Sequence, residues 1–558
     1  MRAGGSAPPF RAEKGAIAMA KKTWMTRAAG VLLPVSSLPS KYGIGNFGQA
    51  AREWVDFLVQ AEQRYWQVLP LGPTSFGDSP YQSYSAFAGE PLYIDLDQLA
   101  EAGLLKKGAC KRVEWGEDPS HVDYDVVRTG RKKLLRKAFK NFEDKKALEA
   151  FRQENAEWVE DYALYMALKD KNKGRPWTEW KKGLRLRDPA ALEECREKYK
   201  EDVDYYVFTQ YLFFQQWGAL KEYANQRGVK IIGDAPIYVA MDSADVWAQP
   251  GLFQLDEKNV PTEVSGCPPD AFTADGQLWG NPLYRWDVMK EDGYSWWIKR
   301  IKANLSMYDV LRIDHFRGLE SYYAIPYGDT TARNGRWRKG PGMDFIRAIN
   351  QNVENAAIIA EDLGFLTPAV KRLLKNSGYP GMKVLQFAFD PNEDSSYLPH
   401  YYPHNCVVYT GTHDNTTTRG WLDTQEPEVL QLAKDYLGFE AVEDGPWAFI
   451  RGALESVADL AVIPLQDYLG LGGECRINTP STVGGTNWRW RMSPEDMDEE
   501  LAGKMARLSL IYGRASKSEP GKGPAEEPAQ KAGKSQTAKP GKKTGKAAKK
   551  GDKSHADA

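Results

Sequence analysis

Three short stretches hold the residue types that nucleophilic and acid–base chemistry need. Arg312-Ile313-Asp314-His315-Phe316-Arg317-Gly318 packs two arginines, a histidine and a carboxylate into seven residues. Glu361-Asp362-Leu363-Gly364 and Gly411-Thr412-His413-Asp414-Asn415 add further acids. Burying so many charges is costly unless they pair. Attack on an acetal carbon needs one carboxylate ionised and another protonated at the same pH. Asp314, Glu361 and Asp414 together would supply a nucleophile, a general acid/base and a third carboxylate. Arg312 is expected to hold Asp314 ionised, while crowding of like charges raises Glu361. The same inventory also fits two other readings, a Mg²⁺ or Ca²⁺ site and a buried structural network.

Each stretch follows a run of apolar, largely β-branched residues. Tyr308-Asp309-Val310-Leu311 precedes the first, Asn355-Ala356-Ala357-Ile358-Ile359-Ala360 the second, and Cys406-Val407-Val408-Tyr409-Thr410 the third. Runs of this kind read as strands buried on both faces, as in a parallel sheet covered by helices. Further runs occur at Gly30–Val35, Tyr65–Leu71, Val229–Val239, Met382–Phe389 and Leu460–Leu465. The total is about eight strands with helical patterns between them. This predicts an α/β fold, a (β/α)8 TIM barrel, in which the C-terminal strand ends converge on one face and bring distant acids together. A doubly wound open sheet fits the count as well.

From about 97 to about 225 strand signals give way to charged helical patterns, read as a helical insertion packed on the main body. The Gly/Pro-rich excursion 250–286 reads as a lid loop. Residues 1–26 read as a disordered leader, with Met19 an alternative start, and the catalytic barrel spans 27–514. The segment 515–558 has eleven Lys against five acids and no aromatic residue. It cannot bury enough apolar surface to offset its chain entropy and is expected to be a disordered tail, with polyanions as its possible contacts.

Composition narrows the function. Net charge is −1, which gives no argument for nucleic acid or a membrane surface as the main partner. The five cysteines, at 110, 195, 267, 406 and 475, are scattered without a CxxC pair. That pattern implies neither a disulfide frame nor a zinc site and points to a reducing cytoplasm. No apolar run reaches the length of a membrane span. Aromatic residues make up 12% of the chain, including 18 Trp and 28 Tyr, which suits stacking on sugar rings as well as core packing.

Several longer phrases then resemble one family. They are Leu69-Pro70-Leu71-Gly72-Pro73-Thr74, Gly77 to Tyr84, Gly233 to Tyr238 with Asp242 to Trp247, Gly276 to Tyr284, Arg312 to Gly318, Glu361 to Gly364, and Gly411 to Thr418. In this order, from about Gly30 to about Arg491, the chain resembles the 4-α-glucanotransferases of the amylomaltase (disproportionating enzyme) family, glycoside hydrolase family 77 of the α-amylase clan. The resemblance implies a (β/α)8 barrel without a C-terminal β-sandwich, with Asp314 as nucleophile, Glu361 as acid/base and Asp414 as transition-state stabiliser. It implies that Arg312 orients the nucleophile and that His413 and Asp234 contact the sugar at the scissile bond. His315 faces either the sugar or the barrel core.

The implied substrates are maltooligosaccharides and starch- or glycogen-derived glucans, with no cofactor and no metal. In similar enzymes a loop at 250–286 covers the cleft. Phe253, Phe272 and Trp279 there are expected to stack on glucose rings or pack within the loop, and Asp270 to bind hydroxyls. Tyr81 and Tyr84 carry the same pair of readings. Tyr323 stands where the family usually has Trp, and Cys267 where an aliphatic residue is common. An α-glucan hydrolase and a catalytically idle glucan-binding protein are the alternatives.

Overall fold

The computed structural model describes residues 24–269, 274–364 and 366–515. Most of the expected leader and tail, together with Asp270 and Phe272, lie outside the described residues. Twelve strands occur among the described residues: β1 (Ala28–Leu32), β2 (Tyr65–Gln67), β3 (Lys230–Ala235), β4 (Glu263–Cys267), β5 (Gln277–Pro282), β6 (Val310–Ile313), β7 (Ser321–Pro326), β8 (Arg336–Lys339), β9 (Ile358–Ala360), β10 (Gly381–Val384), β11 (Cys406–Tyr409) and β12 (Leu460–Pro464).

Eight of them form one parallel sheet in the order β10-β11-β12-β1-β2-β3-β6-β9. Its two ends meet where the Ala360 N–H donates to the Pro380 carbonyl at 2.9 Å, so the sheet is a nearly closed (β/α)8 barrel. All eight expected strands are present, but several stop early. The runs through Leu71, Val239 and Phe389 turn off the sheet at Gln67, Ala235 and Val384. Beyond those points the backbone leaves the ladder to build the loops of the C-terminal face.

Strand periodicity decides what fills the barrel. Successive side chains alternate between faces. Leu32, Ile232, Val310, Ile359, Met382, Val407, Leu460 and Val462 belong to one interior cluster. Their alternate neighbours, such as Val31, Ile231, Leu311 and Ala461, pack in the larger cluster with the helices. Gly233 shows how tight that outer layer is, since a Cβ there would lie 2.1 Å from the Tyr308 ring.

The connecting helices carry local signals. The helix Gln49–Gln60 buries Ala51, Trp54, Val55, Phe57 and Leu58 along one face. The helix Pro368–Ser377 starts with Thr367, which accepts the Val370 N–H, and Pro368. It ends at Gly378, whose φ of 74° suits a residue without a side chain.

From Leu96 to Gln226 the described elements are all helical, the longest being Lys200–Gln226. Asp123, Asp144 and Asp188 cap three of these helices. This layer grips the loops above the barrel. Arg128 pairs with Asp78 at 2.6 Å, and Tyr165 and Lys169 both bind Asp242.

The excursion 250–286 is built differently from a plain loop. It contains β4 and β5, which join β7 and β8 in a four-stranded antiparallel sheet of order β5-β4-β7-β8. Glu263 on β4 pairs with Arg336 at 2.9 Å and Arg338 at 3.0 Å across this sheet. Gly266 on β4 and Gly280 and Pro282 on β5 lie within the strands themselves, and β4 pairs on its other side with β7, about 60 residues further on.

Candidate functional site

Inward parity places Arg312 inside the barrel, one step beyond Val310, and Asp234 one step beyond Ile232. The two are register partners on the parallel strands β3 and β6. Arg312 Nη1 donates to Asp234 Oδ2 at 2.5 Å, and its Nη2 reaches Asp314 Oδ1 at 3.0 Å. The arginine is 4% exposed, the Asp234 carboxylate 0% and the Asp314 carboxylate 28%. One guanidinium therefore joins a sealed carboxylate to one that opens to the cleft. Arg312 Nε also contacts Met382 Sδ at 3.4 Å.

Glu361 ends the next strand, with its backbone N–H bonded to the Ile313 carbonyl at 3.0 Å. Its Oε2 accepts the His315 N–H at 2.7 Å and its Oε1 the Leu363 N–H at 2.8 Å. His315 adopts a left-handed backbone, φ 50°, which turns that N–H toward Glu361. Each carboxyl oxygen keeps a lone pair free, so a proton can still bind there. Asp414, on the loop after β11, is half exposed. Its Oδ1 accepts Asn478 Nδ2 at 2.7 Å and lies 3.4 Å from His413 Nε2.

Tyr81 brings a further loop over the barrel mouth. Its hydroxyl donates to Asp234 Oδ2 at 2.6 Å, and its ring stacks on His413 with centroids 5.1 Å apart and planes 14° from parallel. Trp488 packs against both rings. Asp234 Oδ1 has no hydrogen-bond partner although it is buried. A sealed acceptor without a donor is costly, and a ligand hydroxyl would satisfy it.

Burial sets the electrostatics. It pushes the Asp314 carboxyl well above its ordinary value, and Asp234, Glu361 and Asp414 add to the rise against the pull of Arg312. Burial likewise raises Glu361, opposed by Arg312 and the two N–H donors. The expectation that Arg312 keeps Asp314 low while Glu361 alone rises is therefore corrected. Desolvation within the crevice outweighs the guanidinium even though the Asp314 side chain stays 28% exposed, and both carboxyls are raised. Burial also lowers His413, and it drives His315 down to about 3, so both imidazoles are neutral near pH 7.

The structure thus brings Asp234, Arg312, Asp314, Glu361, His413, Asp414 and Tyr81 to one crevice at the strand ends. Trp279 on β5 stands edge-on to His315 at 4.8 Å, at the rim. Phe253 is 1% exposed and packs on Tyr284 at 5.3 Å, which makes it part of the core and not a platform for a ring. Tyr84 sits under the Lys169 ammonium at 4.9 Å. Asp270 and Phe272 lie outside the described residues. Among the described residues no group of three or more His, Cys, Asp or Glu is arranged to hold a metal ion. Sequence reasoning missed Asn478, Trp488 and Arg476, whose guanidinium donates to the Asp414 carbonyl. They stand on the chain after β12, where neither strand pattern nor acidic clustering marks them.

Comparison with known proteins matches residues 33–497 to a family described as 4-alpha-glucanotransferase. The chain is similar to the 4-alpha-glucanotransferase of Clostridium butyricum, 48% identical over 484 residues that cover 86% of this chain and 99% of that protein. It is 47% identical to the Thermus thermophilus 4-alpha-glucanotransferase over 502 residues, 87% of this chain and 98% of that one. Among solved structures, it matches the amylomaltase from Streptococcus agalactiae in complex with acarbose. That match has a TM-score of 0.86 and 42% identity, covering 88% of this chain and all of that one.

Proposed function

Because the chain belongs to glycoside hydrolase family 77, the 4-alpha-glucanotransferases, we propose that it moves α-1,4-glucan segments between maltooligosaccharides by two displacements at one carbon. In the first, an Asp314 oxygen bonds to the anomeric carbon as the glycosidic C–O bond breaks. The Glu361 proton passes to the departing oxygen, and a glycosyl ester on Asp314 remains. In the second, the 4-hydroxyl of another glucan attacks that carbon, Glu361 takes its proton, and the Asp314 carboxylate leaves. Two inversions retain the α configuration.

The observation that carries this reading is the Arg312 bridge. It fixes Asp314 toward the cleft while Asp234 stays sealed with one acceptor free. That oxygen takes a hydroxyl of the sugar undergoing reaction once the wall formed by His413 and Tyr81 shifts, because the chain itself seals it. Glu361 suits the acid role because each of its oxygens meets only a backbone N–H and keeps a lone pair for the proton, whereas the ion pair with Arg312 favours the ionised form of Asp314. Asp414 supplies negative charge where the oxocarbenium-like transition state becomes positive. Trp279 at the rim is placed to stack on an incoming ring. Transfer in place of hydrolysis requires that an acceptor sugar outcompete water, through binding and exclusion of solvent. The sheet β5-β4-β7-β8 is the proposed cover, a reading supported by the contact of its Trp279 with His315 beside the acids.

Starch- or glycogen-derived maltodextrins are the proposed substrates. The acarbose bound to the Streptococcus agalactiae enzyme is consistent with a site of this class. A cytoplasmic setting accords with five cysteines that are all free. Incubation with maltotriose tests the proposal. Glucose together with longer oligomers is the expected outcome, and glucose and maltose alone would mean hydrolysis.

A further inference from the structure

The loop that carries His413 and Asp414 leaves the barrel at Thr410, just past β11, and ends at Thr418, the first residue of the helix Thr418–Thr424. Both threonines are 0% exposed, and both hydroxyls donate to one atom, Asp467 Oδ2, at 2.5 and 2.7 Å. The Thr418 N–H donates to Asp467 Oδ1 at 2.7 Å. Asp467 is itself 1% exposed and sits just past β12, the strand that pairs with β11. The loop's midsection has its own brace, since Asn415 Oδ1 accepts the Thr412 N–H at 2.9 Å. Gln386, from the β10 side, donates to the Thr416 carbonyl at 3.0 Å.

The donors to Asp467 are a backbone N–H and two hydroxyls, all neutral. Burying a carboxylate on neutral donors costs more than an apolar filler of the same shape would. The fold alone therefore gives no reason for an acid here. An acid does differ from such fillers in one respect. It accepts from entry and exit together, on fixed lines, and so sets the separation of the loop's two feet.

We propose that Asp467 is a positioning residue that clamps both feet of the 410–418 loop and thereby holds Asp414 in register with Asp314 and Glu361, without touching the sugar. This rests on the proposed role of Asp414. The mechanism of loss is displacement: removal of the clamp lets the loop shift, and shifts of about 1 Å in reacting groups cost about 10²-fold in rate.

The test is steady-state transfer on maltotriose with the full chain. Asp467→Ala is expected to lower kcat by about 10²-fold while KM moves less than about twofold, because ground-state contacts persist. Asp467→Asn keeps an oxygen for the Thr418 N–H and presents its NH2 to the Thr410 and Thr418 hydroxyls, which can turn to accept, so it still ties both feet and is expected to recover most of that loss. Thr410→Val is expected to lower kcat in the native background but to add nothing to Asp467→Ala, since both break one clamp. Unchanged kcat in Asp467→Ala, an Asn variant no better than Ala, or independent multiplication of the Thr410→Val and Asp467→Ala losses would each overturn the proposal. If Asp467→Ala does not fold, Thr410→Val and Thr418→Val decide it, and full kcat in both overturns it. Asp414→Asn run alongside separates the two ideas. Full turnover there removes the premise, whereas its loss combined with an unaffected Asp467→Ala removes only the clamp.

Discussion

Arg312 and Asp234 face each other as register partners on adjacent parallel strands, and their side chains meet at 2.5 Å inside the barrel. The pair is a buried charge couple whose second arm reaches Asp314, so stability and chemistry share one guanidinium. Replacing Arg312 with Met leaves Asp234 sealed without its cation. The expected cost is about 3–5 kcal/mol at neutral pH, measured by urea unfolding. Arg312→Lys keeps the charge but cannot span both carboxylates, so it is expected to recover stability more fully than turnover.

Glu361→Gln is expected to lower transfer from maltotriose by about 10²–10⁴-fold, the range for loss of a general acid/base. A donor with a good leaving group, such as α-maltotriosyl fluoride, needs no protonation. With it, the first displacement should proceed and the second stall, so intact-mass spectrometry should detect a maltotriosyl adduct. No adduct under those conditions would count against Asp314 as nucleophile.

Catalytic pH dependence follows from the same burial. The reaction needs one carboxyl of the pair ionised and the other protonated. Both Asp314 and Glu361 are raised. Both limbs of the kcat/KM profile are therefore expected above the ordinary carboxyl range of about 4. The basic limb should disappear in Glu361→Gln when the fluoride donor is used.

Stability should move the opposite way from activity. A carboxyl whose folded pKa is raised stabilises the fold fully below its unfolded pKa, and that contribution is lost as pH rises through the folded value. Glu361→Gln is therefore expected to have a higher Tm than the native chain at pH 7. The gain should vanish below about pH 4, where the native carboxyl is protonated in both states. Equal Tm values at both pH values would contradict the direction of the shift.

Tyr81→Phe keeps the stack on His413 and loses the hydroxyl that donates to Asp234. A hydrogen bond to a charged acceptor contributes about 1.5–3 kcal/mol, so kcat/KM for maltotriose is expected to fall about tenfold or more. Tyr81→Ala removes the wall as well and is expected to fall further. Equal activity in Phe and native chains would separate Tyr81 from the site.

The eight strands and the three acids at their ends are legible along the chain because both are local. A buried parallel strand needs a continuous apolar run, and its end needs a polar stop, so Ile358-Ile359-Ala360 before Glu361 and Val407-Val408-Tyr409 before His413 announce themselves. The family phrases add Asp234 to the same crevice before any coordinates, while Tyr81 is drawn in only by its bond to Asp234 and its stack on His413. Local pattern fails where partners are remote. β4 looks like loop because its partner β7 begins only at Ser321, β5 because it holds Gly280 and Pro282, and Asn478 gives no sign of bonding to Asp414, a residue 64 positions earlier.

What the sequence by itself determined is therefore the inventory and the strand count, whereas the face that Arg312 and Asp234 take was decided in the barrel, because strands buried on both sides show no alternation. Tertiary structure alone decided how those charges behave. The rise of Asp314 against its arginine comes from the water that packing removes, and desolvation depends on every neighbour in space and on none in the chain. The same is true of the acceptor left free on Asp234 and of Asp467 joining Thr410 to Thr418. Each is a meeting of groups brought together by closure of the barrel, and that closure is a sum of long-range contacts that no local window contains.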